Sequence, residues 1–240
     1  MLKILDKIIG LILPHRCLYC GKIVQTAHSV CEDCLGQIHF ISKPYCSKCG
    51  FPFEHIVATK QNMTCPNCLK NKRHLFRLVR SAVIYEDFSK KAIIALKFSD
   101  KTQNAKTFAK WLKFAGKDIL TAGADVFIPV PMHYKKLIKR RYNQAALLAL
   151  ELSQLTNIST DLTNLVKIKN TKPQVNYSKA EREQNLKHAF SVQNPQMVRG
   201  KRVVLIDDVL TTGTTLEECA KVLLKNGALS VDALTVARVL

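Results

Sequence analysis

The sequence predicts an α/β fold, a mostly parallel sheet flanked by helices, that follows a small N-terminal cysteine-rich module. Three observations predict this organisation. Eight of the nine cysteines lie in the first 68 residues, as four C-x-x-C pairs. Beyond a polar connector at 70–74, strand-like and helix-like patterns alternate. The fully apolar segment 203–206 is typical of a strand at the centre of a parallel sheet.

The α/β pattern can be followed along the chain. A strand is expected over 78–85, followed by helices over 88–98 and 104–120, whose apolar residues recur at helical spacing. Prolines close the next strand, at 125–131, and a strongly basic segment at 133–141 leads into an apolar helix at 144–155. After the central strand, a helix over 214–225 stops before Gly227, and a strand over 231–239 closes the sheet.

Chain length accommodates one domain of ordinary size and a smaller module, since there are 240 residues. We expect an amphipathic segment over 1–16, the cysteine-rich module over 17–70 and the α/β domain over 76–240. Two lysines before a short apolar run give the N-terminus some likeness to a signal peptide, but Asp6 interrupts it and no small-residue cleavage site follows. No stretch reaches the ~18 apolar residues of a membrane-spanning helix, so we expect a cytoplasmic protein that is not transmembrane.

The cysteine pairs predict metal sites. Two thiolates separated by two residues can hold one Zn²⁺ on a tight turn, and two such pairs complete a tetrahedron. One pair alone would also suit a redox site, but four in series favour structural zinc, and disulfides are disfavoured in the cytoplasm. The eight predicted ligands are Cys17, Cys20, Cys31, Cys34, Cys46, Cys49, Cys65 and Cys68.

Sequential, interleaved and nested groupings of these pairs are all open, but an internal repeat favours the sequential one. The pairs at 17–20 and 46–49 are each followed by glycine, and the pairs at 31–34 and 65–68 are each followed by leucine. A repeated unit indicates that each repeat holds its own ion, which gives two zinc ribbons. Cys219 stands apart in a predicted helix, and we interpret it as a small buried apolar residue.

The chemistry concentrates in the segment 203–216. The apolar strand leads to Asp207 and Asp208, which we expect at a strand end near solvent, and a loop and a helix follow. The loop residues are Thr211, Thr212, Gly213, Thr214 and Thr215. Loop amides and the positive end of the helix suit a phosphate. The carboxylates repel phosphate but can accept hydrogen bonds from two ribose hydroxyls, so the segment predicts a ribose 5-phosphate site.

This stretch resembles the 5-phosphoribosyl-diphosphate (PRPP) motif of type I phosphoribosyltransferases at all thirteen positions, 203–215. Neither a P-loop nor a dinucleotide-binding glycine pattern is present. With its cysteine pairs, the chain resembles the ComF family, whose members join a double zinc ribbon to a phosphoribosyltransferase domain. Further family motifs are matched by P-V-P at 129–131, by R-Y-N-Q at 141–144 without the usual glycine, and by T-K-P-Q at 171–174 with Arg182, Asn185 and Phe190. The usual arginine before that threonine is a lysine, Lys167 or Lys169.

The resemblance implies a type I phosphoribosyltransferase fold that binds PRPP with Mg²⁺. It places a diphosphate loop after the 125–131 strand, where Lys135 and Lys136 are candidate contacts. It also implies a hood over 167–190, where Gln174 and Arg182 are candidate contacts. A solvated basic face and an exposed loop are the competing interpretations of these two segments.

The charge balance points to a polyanionic partner. The chain has 37 Lys and Arg against 18 Asp and Glu, a formal net charge of +19. The densest cluster includes Lys139, Arg140, Arg141 and Tyr142, and cations beside aromatic rings suit single-stranded DNA. A lysine-rich composition without a polyanionic partner is the competing interpretation.

Two hypotheses of function follow. In the first, which the resemblance favours, a competence-associated PRPP-binding protein handles incoming single-stranded DNA in natural transformation, with competence or recombination proteins as partners. In the second, an active phosphoribosyltransferase transfers phosphoribose to an unidentified acceptor. The sequence identifies no catalytic base. An amidophosphoribosyltransferase is disfavoured, because its nucleophile is an N-terminal cysteine and this chain begins with Met1 and Leu2.

Overall fold

The fold was obtained as a computed structural model, which describes residues 14–53, 63–70, 75–98, 101–171 and 179–240. In the described part of the chain, the strands are β1 (Val79–Ile84), β2 (Val126–Pro129), β3 (Ser159–Thr160), β4 (Leu165–Lys167), β5 (Phe190–Val192), β6 (Arg202–Leu210) and β7 (Ser230–Arg238). Five of them form a parallel sheet in the order β1-β7-β6-β2-β3, and β4 and β5 form a separate antiparallel pair.

Helices cover both faces of the sheet, which confirms the predicted architecture. The helices of the described residues are, in chain order, α1 (Glu32–Leu35) and α2 (Pro66–Lys70) in the cysteine-rich module, and then α3 (Asp87–Phe98), α4 (Asn104–Ala115), α5 (Lys117–Thr121), α6 (Tyr134–Arg140), α7 (Gln144–Thr156), α8 (Lys179–Leu186) and α9 (Thr214–Lys225). Apolar residues of α3, α4 and α7 pack in one core cluster, and those of α9 pack in the other with the β4–β5 pair.

The central strand β6 supplies both clusters. Val204 and Ile206 lie in the cluster with α3, α4 and α7, whereas Val203 and Leu205 lie in the cluster with α9. Because side chains alternate across a strand, a strand that is buried on both faces must be apolar at every position. This explains the continuous apolar run in the sequence. Cys219 of α9 is fully buried, as its interpretation as an apolar residue requires.

Two expected boundaries were wrong. The helix expected over 104–120 divides at Gly116 into α4 and α5. A Cβ atom on Gly116 would lie 2.7 Å from a methyl group of Leu234, so the chain breaks where a helix must approach β7 closely. The central strand is longer than expected, because β6 stays paired with β7 as far as Leu210. Asp207 and Asp208 therefore lie within the strand.

The cysteine-rich module lies against the edge strand β1. The Ile41 N–H donates to the Ala82 carbonyl (2.9 Å) and the Ile84 N–H donates to the His39 carbonyl (2.9 Å). Phe40 forms an antiparallel bridge with Val83 between these bonds. The module thus covers backbone groups that an edge strand would otherwise expose.

Residues 1–13 of the expected amphipathic segment lie outside the described residues. Within the described ranges, no helix is both long and apolar enough to cross a membrane.

Candidate functional site

The cysteine thiols form two groups of four. In each group all the Sγ atoms lie within 4.8 Å of one another. One group is Cys17, Cys20, Cys31 and Cys34, and the other is Cys46, Cys49, Cys65 and Cys68. The sequential grouping is therefore confirmed. Four thiolates at this spacing fit one tetrahedral Zn²⁺ per group, so two structural zinc ions suit the module.

The two groups share one local structure, as the internal repeat predicts. Gly21 (φ 75°) and Gly50 (φ 67°) adopt left-handed conformations after the first pair of each unit. Each glycine N–H donates to the carbonyl of the first cysteine of its unit. The backbone N–H of Cys31 lies 3.4 Å from Cys17 Sγ, and that of Cys65 lies 3.3 Å from Cys46 Sγ. These N–H groups favour the thiolate form that zinc requires.

A second candidate site lies at the carboxyl ends of β2 and β6, the position where open α/β sheets bind ligands. It is a pocket of about 180 Å³. We call it the Asp207 pocket and define it by its charged lining residues: Lys97, Lys136, Arg140, Lys167, Asp207 and Asp208. The Thr211–Thr215 loop follows β6 directly.

The two carboxylates are less accessible than the sequence suggested. Asp208 is 8% exposed and Asp207 is half-buried, which corrects the expectation that both lie near solvent. The Asp208 N–H donates to Asp207 Oδ1 (2.8 Å), and Lys97 Nζ lies 2.9 Å from Asp208 Oδ2. Burial and the adjacent Asp208 carboxylate raise the pKa of Asp207 to about 7.

The threonine-rich loop leads into α9. Gly213 has φ 82°, so a residue with a Cβ atom would be strained there. The hydroxyls of Thr212 and Thr214 lie 3.0 Å apart. The first N–H groups of a helix have no partner within the helix, so those that begin at Thr214 are available to an anion.

Cations from three elements face the carboxylates. Lys136 and Arg140 lie one turn apart on α6, Lys167 comes from β4, and Lys97 comes from the last turn of α3. Burial, together with the neighbouring Lys136, lowers the pKa of Lys167 to about 8. Burial and then Arg140 lower the pKa of Lys136. Cations crowded in this way favour the binding of an anion.

Sequence reasoning did not identify Lys97 as a site residue. It also left Lys167 and Lys169 as alternatives for one family position. The structure distinguishes these two, because Lys167 lines the pocket, whereas Lys169 Nζ donates to the Lys187 carbonyl (2.8 Å). No spacing signal links Lys97 to Asp208, because tertiary packing alone brings them together.

The other predicted ligand contacts do not all lie at the Asp207 pocket. The Lys135 side chain is exposed, and the backbone N–H of Lys135 donates to His133 Nδ1 (3.3 Å). Of this pair, Lys136 lines the pocket and Lys135 does not. Gln174 lies outside the described residues. Arg182 belongs to α8, but its side chain lies outside the described part.

The predicted DNA cluster also divides. Lys139 and Arg141 are exposed, whereas Arg140 lines the pocket. The Tyr142 hydroxyl donates to the Leu96 carbonyl (2.7 Å) and its ring is half-buried. The exposed cations of α6 and its C-cap are therefore Lys135, Lys139 and Arg141.

Known proteins show the same two parts. A model of the double zinc ribbon domain matches residues 8–69, and a model of the phosphoribosyl transferase domain matches residues 144–239. Competence protein F of Haemophilus influenzae is 34% identical over 230 residues, which are 93% of this chain and 96% of that protein. The DNA utilization protein YhgH of Escherichia coli K12 is 31% identical over 238 residues, 96% of this chain and 100% of that protein.

A third relative is competence protein ComFC of Bacillus subtilis, which is 25% identical over 217 residues, 90% of this chain and 87% of that protein. The similarity to all three relatives extends over both the cysteine-rich module and the α/β domain. Of the family motifs, P-V-P, R-Y-N-Q and the acidic pair of the PRPP motif contribute residues to the Asp207 pocket. The chain belongs to the ComF family.

Proposed function

We propose that this protein binds PRPP, as its Mg²⁺ complex, in the Asp207 pocket and handles incoming single-stranded DNA during natural transformation, in the cytoplasm. One observation carries the PRPP part. Two adjacent carboxylates, a threonine-rich loop at a helix N-terminus and a group of cations meet at one end of β6. These groups match the diol, the 5′-phosphate and the diphosphate of PRPP respectively.

Each part of the ligand has partners suited to its chemistry. Asp207 and Asp208 accept hydrogen bonds from the two ribose hydroxyls. The amides of Thr211–Thr215 and the threonine hydroxyls donate to the 5′-phosphate. Lys136, Arg140 and Lys167 neutralise the diphosphate, and Mg²⁺ bound with the ligand would add further positive charge there. Lys97 holds Asp208 at 2.9 Å and thereby fixes the carboxylate that faces the ribose.

The DNA part is supported by charge and by the relatives. Lys135, Lys139 and Arg141 are exposed beside the Asp207 pocket, and exposed cations track the phosphates of a single strand. The relatives carry names that refer to competence and to DNA utilization. We infer a role beside competence or recombination proteins, in which PRPP occupancy controls how DNA is held.

Active phosphoribosyl transfer is the alternative. The cations favour it, because they would stabilise departing diphosphate, and the carboxylates of Asp207 and Asp208 would stabilise positive charge at the ribose carbon. Both candidate functions share the PRPP site and differ in whether the bond to diphosphate breaks.

Calorimetry with PRPP and Mg²⁺ tests the shared site. Replacing both carboxylates, Asp207→Ala with Asp208→Ala, should weaken binding at least about a hundredfold, because each charged hydrogen bond contributes about 1.5–3 kcal/mol. The exposed carboxylate of Asp87, on α3, offers the matched control Asp87→Ala, which should bind normally. Unchanged affinity in the folded double variant would reject the PRPP site.

A second measurement separates the two functions. Diphosphate release is followed from PRPP with and without single-stranded DNA. Binding without release supports the ligand-controlled DNA protein. Release that requires an added acceptor supports the transferase.

A further inference from the structure

A groove lies where the second cysteine unit meets the α/β domain. Its volume is about 680 Å³, within the range of roughly 300–1,000 Å³ for ligand sites. The residues that bear on its chemistry are Lys43, Tyr45, Arg80, Phe114, Lys117 and Asp118. They come from the link between the two cysteine units, the second unit, β1, the end of α4 and α5. We call this the module groove.

Two aromatic side chains, Phe114 and Tyr45, line the module groove. Phe114 is 78% exposed, although the neighbouring positions Phe108 and Leu112 of α4 are fully buried in the core. Tyr45 of the second unit also lines the groove, and the Arg80 guanidinium lies 5.0 Å from its ring centroid. An exposed phenylalanine ring beside a cavity is typical of a surface that binds a flat apolar group.

The charge of the module groove is positive. Lys43 and Lys117, which line the groove, are exposed. Asp118 is the acidic residue of the lining, but Arg80 donates to its Oδ2 from Nε (2.9 Å) and from Nη2 (2.7 Å). That carboxylate is therefore neutralised, and the two lysines remain to meet an anionic ligand.

We propose that the module groove binds single-stranded nucleic acid, with an unpaired base stacked on Phe114 and phosphates beside Lys43 and Lys117. Rings next to cations recognise the base and the phosphate of one strand without reading sequence. The inference rests on the DNA-handling part of the proposed function and gives it a second surface. A protein partner would use the rings but would leave two lysines without a role.

The module groove lies away from the Asp207 pocket. Lys117 and Asp118 belong to α5, which leads into the start of β2, whereas Asp207 lies near the end of the parallel strand β6. The two sites thus lie at opposite ends of the sheet. Changes in the groove should consequently leave PRPP binding intact.

Anisotropy of a fluorescein-labelled oligothymidine, measured over a salt series, tests the inference. Phe114→Leu keeps an apolar side chain but removes the ring, and it should lower affinity at least about fivefold, the smallest effect expected for a lost base stack. Phe114→Trp, which keeps an aromatic ring at this position, should bind with an affinity close to that of the wild-type protein. Because Phe114 is exposed, zinc content and the unfolding temperature should not change.

Removing the cations gives an independent variant. Lys43→Gln with Lys117→Gln should lower the salt slope of binding by about 1.4, since each phosphate contact on a single strand contributes about 0.7. The exposed lysines 187 and 225 provide a control of equal charge change, Lys187→Gln with Lys225→Gln, which should have a smaller effect.

The outcomes separate this inference from the proposed function. Wild-type affinity and slope in both groove variants, with loss in Lys139→Ala Arg141→Ala, would overturn the module groove and leave DNA binding to α6. Absence of oligothymidine binding by the wild-type protein would overturn both the module groove and the DNA-handling part of the proposed function, and would leave the PRPP part standing. Equal losses in the groove pair and the control pair would show that total charge, and not the groove, holds the strand.

Discussion

Asp207 sits in an environment that opposes its own ionisation. It lies in the central strand next to a second carboxylate, and burial together with Asp208 raises its pKa to about 7. A ligand whose hydroxyl groups donate hydrogen bonds to the Asp207 carboxylate would favour its ionised form. Perturbed pKa values of this kind are typical of functional sites, where a bound ligand supplies the missing interactions.

The unfavourable ionisation of Asp207 should lower the stability of the folded protein, and this effect can be measured by thermal unfolding. A carboxyl whose pKa rises from ~3.9 in the unfolded chain to a higher folded value destabilises the protein above the folded pKa but not below the unfolded one. We expect Asp207→Asn to raise the unfolding temperature by about 3 °C or more at pH 8, and to have little effect at pH 4. Differential scanning calorimetry of Asp207→Asn and of the exposed control Asp87→Asn checks this. A less stable Asp207→Asn protein at pH 8 would contradict it.

Lys167 and Asp207 should make PRPP binding depend on pH in opposite directions. Its pKa is lowered to about 8 by burial and by Lys136, so it loses its charge as the pH rises past 8. Asp207 gains charge through about 7. We therefore expect PRPP affinity to be greatest between about pH 7 and 8, and Lys167→Met to abolish the alkaline decline but not the acidic one. Calorimetry at several pH values decides, and an unchanged alkaline decline in Lys167→Met would exclude Lys167 as the group responsible.

Among the elements, α6 divides its charges between two faces. Lys136 and Arg140 are one turn apart and line the Asp207 pocket. Lys139 and Arg141 are exposed, and Arg141 caps the helix in a left-handed conformation at φ 68°. One short helix thus presents cations both to a ligand in the pocket and to solvent, which would let DNA lie next to bound PRPP.

Paired substitutions should separate the two faces. We expect Lys136→Ala with Arg140→Ala to weaken PRPP binding at least about a hundredfold, because charged hydrogen bonds contribute about 1.5–3 kcal/mol each. Lys139→Ala with Arg141→Ala should leave PRPP binding unchanged and lower the salt slope of single-strand binding by about 1.4. Titrations of both variants with both ligands check this. Parallel losses for both ligands in both variants would show that the helix acts as a single surface.

The elements that sequence could predict are those with long or repeated patterns. The apolar run of β6, the helical spacing of α9 and the repeated cysteine units each carry a local signal. The β4–β5 pair carries none, because each strand has only three residues, so periodicity cannot reveal it. The sequence indicates Lys167 only through a family position, and Lys97 lies on a helix far from β6 in sequence. Their convergence on Asp207 and Asp208 depends on tertiary packing.

At the scale of the whole molecule, the cysteine-rich module and the α/β domain share a buried contact. Arg80 of β1 is 5% exposed. Its guanidinium donates to the carbonyls of Ser47 (2.9 Å) and Lys48 (3.1 Å), and the Val79 N–H also donates to the Lys48 carbonyl (2.9 Å). The second unit therefore supplies acceptors to buried groups of the sheet. The first unit contributes stacking of Tyr19 on Phe88, with ring centroids 4.6 Å apart.

Loss of the second metal site should consequently destabilise the protein more than loss of the first. We expect purified protein to carry about two zinc ions, and Cys17→Ser and Cys46→Ser each to lose about one, because the two thiol groups are separate. Cys46→Ser should be less stable than Cys17→Ser by about 1–3 kcal/mol, since disorder in the second unit removes the Ser47 and Lys48 carbonyls that accept hydrogen bonds from Arg80. That difference corresponds to roughly 2–12 °C in unfolding temperature. Elemental analysis and calorimetry of the two variants measure both quantities. Loss of both ions from either variant would show that the sites depend on each other, and equal unfolding temperatures would show that the second unit stabilises the α/β domain no more than the first.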